Sequence, residues 1–328
     1  MKTTNHMNKI EKFISDELDK LLTIENNIYT CDIADNIFKL IMSAKFRRHS
    51  ACDFLKQRIK EAIIYAVERN EPINITFLQG SYKLWRFEES PEVDWAELFA
   101  LMHYISWVKP ILSFYEPGVI FDFYLDDLIM ERISNYNRSE ILSYQNSFQK
   151  VLDFLMLRCS QNLRFKITTV SSQYMDENDF WDKLDMAVAK WKRPNDITLD
   201  DAVVEMVDLN YRPIPNKVHD DLWREEIMCI HDAHSAMEER LKYRNASGKI
   251  LAMPQHYSGA DSRLFVGSTK DSFIKYWVGV GALRHKDDSF STTVLSPKQL
   301  SKASFSIQDV TIEGLSAKNF SKIRVLES

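Results

Sequence analysis

Between residues 73 and 169 the hydrophobic pattern switches repeatedly between a period of two and a period near 3.6, and this alternation constrains the fold most. Ile73–Phe77 is a short β-branched and aromatic run that ends at Gly80. A helical pattern follows from about Glu92 to Phe114, with Trp95, Leu98, Phe99, Met102 and Ile105 on one face. Pro117-Gly118 breaks it, and Val119–Leu125 reads as a buried strand. A helix from about Arg138 to Leu157 and a strand over Leu163–Thr169 complete the series. Strands that alternate with helices pair in parallel, with the helices packed on the faces. The expected class is α/β, a mostly parallel Rossmann-like sheet wrapped by helices.

The flanking regions read differently. Only eight glycines and nine prolines punctuate the chain, which favours long helices. Ile10, Phe13, Ile14, Leu18, Leu21 and Leu22 form one helical stripe, and Ile33, Ile37, Phe38, Ile41 and Met42 another. A third helix carries Phe54, Ile59, Ile63 and Val67 before Pro72. Residues 1–70 are therefore expected as an N-terminal helical subdomain and 71–328 as the α/β catalytic domain. Residues 175–245 return to helix, with Trp181, Leu184, Met186, Val188 and Trp191 read as core. The last third is strand-rich, with strands expected over Lys249–Met253, Arg263–Val266, Tyr276–Leu283 and Ser291–Leu295.

Composition removes several function classes. A net charge of −5 gives no overall field to attract nucleic acid. No window reaches the uncharged length of a membrane span, and MKTTNHMNKIEKF lacks the apolar core of a signal peptide. Cys31, Cys52, Cys159 and Cys229 are widely spaced, so neither a zinc knuckle nor a disulfide framework is indicated. A cytoplasmic protein with reduced thiols is expected. No phosphate-binding loop, GxGxxG or GxSxG pattern is present, which disfavours nucleotide hydrolases, Rossmann dehydrogenases and serine hydrolases.

The chemistry concentrates after Gly80. Lys83, Trp85 and Arg86 follow the first strand at once, and Glu92, Asp94 and Glu97 open the next helix. Open α/β sheets bind ligands just beyond the carboxyl ends of their strands, so this segment reads as one wall of a crevice. A solvated loop leading to a well-capped helix would give the same pattern, because carboxylates suit a first turn.

Several short motifs, in order, resemble the isocyanide synthases of pyoverdine and dityrosine biosynthesis. They are Lys83 after a strand, Asp94-Trp95-Ala96-Glu97 with Pro91 upstream, Tyr115-Glu116-Pro117-Gly118, and Asp126-Asp127. The resemblance continues at Pro254-Gln255 with Gly259 and Arg263, and at Tyr276-Trp277-Val278-Gly279-Val280. Two departures stand out: Gly80-Ser81-Tyr82 replaces a phenylalanine–proline, and Val278 stands where the family has histidine. The resemblance implies an enzyme that converts the amino group of an aromatic amino acid to an isonitrile, with a phosphorylated pentulose (ribulose 5-phosphate) as carbon donor. On that basis Lys83, Asp94, Glu97 and Asp126 are the candidate catalytic residues, with the carboxylates moving protons at the substrate amine. Arg86 and Arg263, with Lys83, would clamp phosphate, and Trp277 or Trp85 would stack on an aromatic substrate. The expected partners are a small-molecule amino acid and a sugar phosphate, with no nucleic acid, no membrane, and no cofactor or metal. A homo-oligomer is compatible with the sequence.

Two other readings remain open. His231, His234 and Glu238 recur near one helical face and could hold zinc or iron, with His256 or His285 from a loop. The same helix is rich in other charges, so a solvated face explains it as well. A non-enzymatic binding protein could instead use Trp85, Trp107, Trp191, Trp223 or Trp277 at a partner surface, although 12% aromatic residues also suits a core.

Overall fold

In the computed structural model, residues 9–23, 32–47, 50–191, 199–244, 248–254, 263–286 and 289–327 are described. A five-stranded parallel sheet holds β1 (Ile73–Gly80), β2 (Val119–Asp126), β3 (Leu163–Thr169), β4 (Lys249–Met253) and β5 (Leu264–Phe265), in the order β3-β2-β1-β4-β5. The chain winds outward from β1 through β2 to β3, then returns to the other side of β1 for β4 and β5. The topological switch point therefore lies between β1 and β4. β1 is buried along nearly its whole length, as expected of a central parallel strand covered on both faces.

The first three helices are α1 (Lys9–Leu22), α2 (Ile33–Ile41) and α3 (Asp53–Glu68). α3 packs against β1 and β4, whereas α1 and α2 pack on α4 (Trp95–Leu112), which links β1 to β2. α4 is apolar around almost its whole circumference because it is enclosed by the sheet, by α1 and α2, and by β6 (Val280–Lys286) and β7 (Ser289–Leu295) of a second sheet. After β2 come α5 (Leu128–Ser134) and α6 (Arg138–Met156); α6 leads to β3 and packs on it. The middle of the chain supplies α7 (Glu177–Trp191), α8 (Asp201–Asn210) and α9 (Asp221–Arg244), with α7 and α8 both against α9.

The second sheet is mixed and four-stranded: β6 (Val280–Lys286), β7 (Ser289–Leu295), β8 (Phe305–Asp309) and β9 (Lys322–Leu326), in the order β7-β6-β9-β8. A short helix, α10 (Pro297–Leu300), follows β7. The buried residues of α1–α3 belong to the same continuous core as the parallel sheet. Among the described residues no helix is long and apolar enough to cross a membrane.

Several local expectations fail. Tyr276–Val278 forms a single tight helical turn, and the strand begins only at Val280. Met186 is 66% exposed, because α7 buries Phe180 and Leu184 and turns the face bearing Met186 to solvent. Phe54 is 62% exposed, at the start of α3 and outside the stripe made by Leu55, Ile59 and Ile63.

Candidate functional site

Gly80 and Asp126 are register partners at the carboxyl ends of β1 and β2. Beyond them the chain divides the candidate residues between two environments.

The first is sealed. Lys83 is completely buried, and its Nζ donates to Asp94 Oδ1 at 2.6 Å, to Glu97 Oε2 at 2.9 Å and to the Tyr276 carbonyl at 3.0 Å. Asp94 is the N-cap of α4 and accepts from the Ala96 amide at 2.8 Å. Glu97 reaches back to the Asp94 amide at 2.9 Å, so the acidic cluster closes a capping box. The other Asp94 oxygen accepts from the Gly281 amide at 3.1 Å. Gly281 is required there, since a Cβ would lie 2.4 Å from the Ala96 backbone nitrogen. The Tyr144 hydroxyl donates to Glu97 at 3.3 Å and accepts from Gln79, whose carbonyl oxygen accepts from the Tyr276 hydroxyl.

One ammonium and two ionised carboxylates would leave a buried negative charge, which is costly. Burial, reinforced by the Asp94 charge and opposed by Lys83, pushes Glu97 up to about 8. Burial disfavours the Lys83 ammonium, but Asp94 and Glu97 outweigh it and hold Lys83 above its ordinary value. Glu97 therefore holds its proton to higher pH than an ordinary carboxyl, which lessens the buried negative charge.

The second environment is more open. Asp126 and Lys275 are half-buried, and Lys275 Nζ stands 5.8 Å from the centre of the Trp277 ring. Desolvation and the charge of Arg263, opposed by Asp126, bring Lys275 down to about 8. Burial, reinforced by the Asp126 charge and opposed by the nearby Trp277 indole, keeps the Tyr82 phenol protonated. Arg263 directly precedes β5 and its Nη1 lies 3.7 Å from Met253 Sδ, at the end of β4. Gly80 is squeezed between these groups: a Cβ would meet Tyr82 Cε1 at 2.4 Å and Trp277 Nε1 at 2.9 Å. Tyr82, Asp126, Arg263, Lys275 and Trp277 therefore gather around the carboxyl ends of β1, β2 and β4, beside the switch point, where such sheets place ligands.

The remaining candidates go elsewhere. Arg86 is exposed and donates to the backbone carbonyls of Asp208 at 2.6 Å and Leu209 at 3.3 Å, at the end of α8. Its guanidinium covers Trp85 at 4.4 Å, so neither side chain joins the strand-end group. Asp127 turns from Asp126 to accept from the Ser171 amide at 3.1 Å beyond β3. On α9, His231 contacts Asp232 at 3.1 Å, whereas His234 is buried edge-on to Phe180. The Glu238 side chain, His256, Gln255 and Gly259 lie outside the described residues. His285 is exposed on β6 beside Phe290. Among the described residues no group of three His, Cys, Asp or Glu side chains could hold a metal ion.

Lys275 is the residue that sequence reasoning missed. Its signal was a lone cation directly before the Tyr276-Trp277 pair, legible only once that segment is known to turn back over β1.

Compared with known proteins, the chain matches no protein-family profile and no curated sequence. The solved structure of the PvcA protein from Pseudomonas aeruginosa superposes with a TM-score of 0.60 at 13% identity, covering 90% of this chain and 100% of that one. That likeness is one of fold. A tyrosyl-tRNA synthetase from Archaeoglobus fulgidus, complexed with L-tyrosine, has a TM-score of only 0.33 at 13% identity over 83% of this chain and 90% of that one, and carries no argument.

Proposed function

We propose that this protein is a biosynthetic enzyme of the isocyanide-synthase type. It would act on the amino group of an aromatic amino acid, with a phosphorylated pentulose as carbon donor, in the crevice at the strand ends. The observation that carries the reading is the convergence of Asp126, Lys275 and Arg263 beside the switch point of a sheet whose fold is shared with PvcA, a pyoverdine-cluster isocyanide synthase.

The chemistry suits these groups. An amine attacks a sugar carbonyl only as the free base, so a proton acceptor must stand near it. Lys275, lowered to about 8, exchanges protons near neutral pH. Asp126 orients the incoming ammonium, and Arg263 offers a forked donor set to phosphate. Trp277, buried beside Lys275 with its ring centre 5.8 Å from that ammonium, forms the apolar wall behind the site. Where the family has histidine this chain has Val278, and Lys275 supplies a titratable group from three positions earlier.

Lys83, Asp94 and Glu97 would then serve as positioning residues. Lys83 holds the Tyr276 carbonyl, and the Leu84 amide donates to the Trp277 carbonyl at 2.8 Å, so the segment bearing Lys275 is fixed from beneath.

The test is incubation of the purified protein with tyrosine or tryptophan and ribulose 5-phosphate, followed by mass analysis for the isonitrile. Product that is lost in Lys275→Met and Arg263→Ala variants supports the reading. Absence of product with both amino acids overturns the reaction.

A further inference from the structure

A second cavity, of about 470 Å³, opens on the far part of α4, between that helix, α1 and β7. None of the five strand-end residues lines it. Its chemistry is unlike that of a surface dimple. Lys20, Lys45, Lys109 and Lys270 come to it from four separate parts of the chain. Against them stand two carboxylates, Glu17 and Asp271, and Glu17 is already paired with Lys20. Lys109 reaches the carbonyl of Lys20, which fixes its ammonium at the cavity wall. The floor is apolar, with Phe13 and Phe290 in ring contact at 5.7 Å and Phe99 and Met102 behind them.

His103 also lines this cavity. Its ring packs on Phe46 at 5.0 Å, and its buried Nε2 has no hydrogen-bond partner among the described residues. A buried polar atom without a partner is costly and is normally satisfied by protein, water or ligand. Desolvation and the nearby charge of Lys45 bring the imidazole down to about 4, so it is neutral at physiological pH and can donate or accept.

From this geometry we infer that the cavity between α1, α4 and β7 is a binding site for a small amphipathic anion, a phosphate or carboxylate head on an apolar body. The head sits among the four lysines, and the body lies on Phe13, Phe99 and Phe290. The volume is that of an ordinary small-molecule site, which typically spans about 300–1,000 Å³. An excess of cations around an apolar floor selects for both properties together. Inorganic phosphate lacks the body, and a neutral alcohol lacks the head.

The experiment is calorimetric titration of the full-length protein with octyl phosphate, 1-octanol, octyltrimethylammonium and inorganic phosphate. Octyl phosphate should bind one to one, at least about tenfold more tightly than each of the others, since charge complementarity and apolar burial act only together there. A Lys45→Gln/Lys270→Gln double variant, altered at two exposed positions, should lose about tenfold in that affinity with its thermal midpoint unchanged. The His103 imidazole resonances should shift on titration in the wild type. Equal binding of octanol or phosphate, no saturation by octyl phosphate, or unchanged affinity in the double variant would each overturn the site. Binding to phosphatidylglycerol vesicles without binding of monomeric octyl phosphate would also overturn it, by assigning the lysines to a surface contact.

Discussion

Lys83 and Lys275 make the most instructive comparison in the molecule. Both are lysines near carboxylates, both follow a turn, and both lie near the end of the central strand. Lys83 sits where every donor is used and where two acidic groups outweigh desolvation, so its proton is held tightly. Lys275 has Asp126 on one side and Arg263 on the other, and there desolvation wins. Proximity to a carboxylate therefore does not decide what a lysine does. The balance of charges around it, and whether its donors are already committed, decides between a fixed strut and a titrating group.

The comparison breaks if the two residues fail in the same way. Lys83→Met should be the most damaging change, because it leaves Asp94 and Glu97 buried together without their cation. A loss of about 3–5 kcal/mol in urea unfolding is expected. Lys275→Met should leave stability within about 1 kcal/mol, since the lost ammonium was itself disfavoured by desolvation. Its turnover in the isonitrile assay should instead fall about a hundredfold or more, as expected on removal of a positioned proton-transfer group. Similar unfolding curves for the two variants would erase the distinction.

Glu97→Gln sharpens it through pH. The Glu97 carboxyl is raised from 4.5 to about 8, so the folded protein keeps a proton that the unfolded chain releases. Its stabilising contribution is full below 4.5 and is lost as pH rises toward 8, at roughly 1.4 kcal/mol per pH unit. His103, lowered from 6.5 to about 4, acts in the opposite sense, and only below 6.5. Chemical denaturation between pH 6.5 and about 7, below the Lys275 titration near 8, thus reads Glu97, and the slope there should flatten in the variant. Equal slopes would mean that the cluster carries a different proton count. The smallest effect belongs to Trp277→Phe. It removes a buried indole N–H but keeps a buried aromatic ring, and should cost about 1 kcal/mol in stability.

The parallel sheet was legible because its signals are local. Leu163–Thr169 is bounded in the fold as the pattern predicts, and Val119 follows Pro117-Gly118 directly into β2. β8 and β9 were not anticipated. Phe305–Asp309 has no fully buried residue and Lys322–Leu326 has one, so neither carries a strong apolar period. Within the candidate site, spacing grouped Lys83 with Trp85 and Arg86, yet these three neighbouring residues diverge to the core, the margin of a second apolar cluster and α8. Sequence adjacency fixes direction along a strand or helix, but not through a turn. Lys275 shows the converse: no local pattern marks it, and only the return of the chain over β1 gives it Asp126 and Arg263 as neighbours.

The three-way contact of Lys83 with Asp94, Glu97 and the Tyr276 carbonyl spans 193 residues, and the Gly281 amide that completes Asp94 arrives later still. A nascent chain emerging N-terminus first would present β1, its lysine and the acidic first turn of α4 long before their last partners leave the ribosome. Until then the ammonium and both carboxylates would stay hydrated, because enclosing them half-satisfied costs more than leaving them wet. The region beyond the carboxyl ends of β1 and β2 would therefore stay open through most of the chain's synthesis and close only when the segment bearing Tyr276 and Gly281 is delivered.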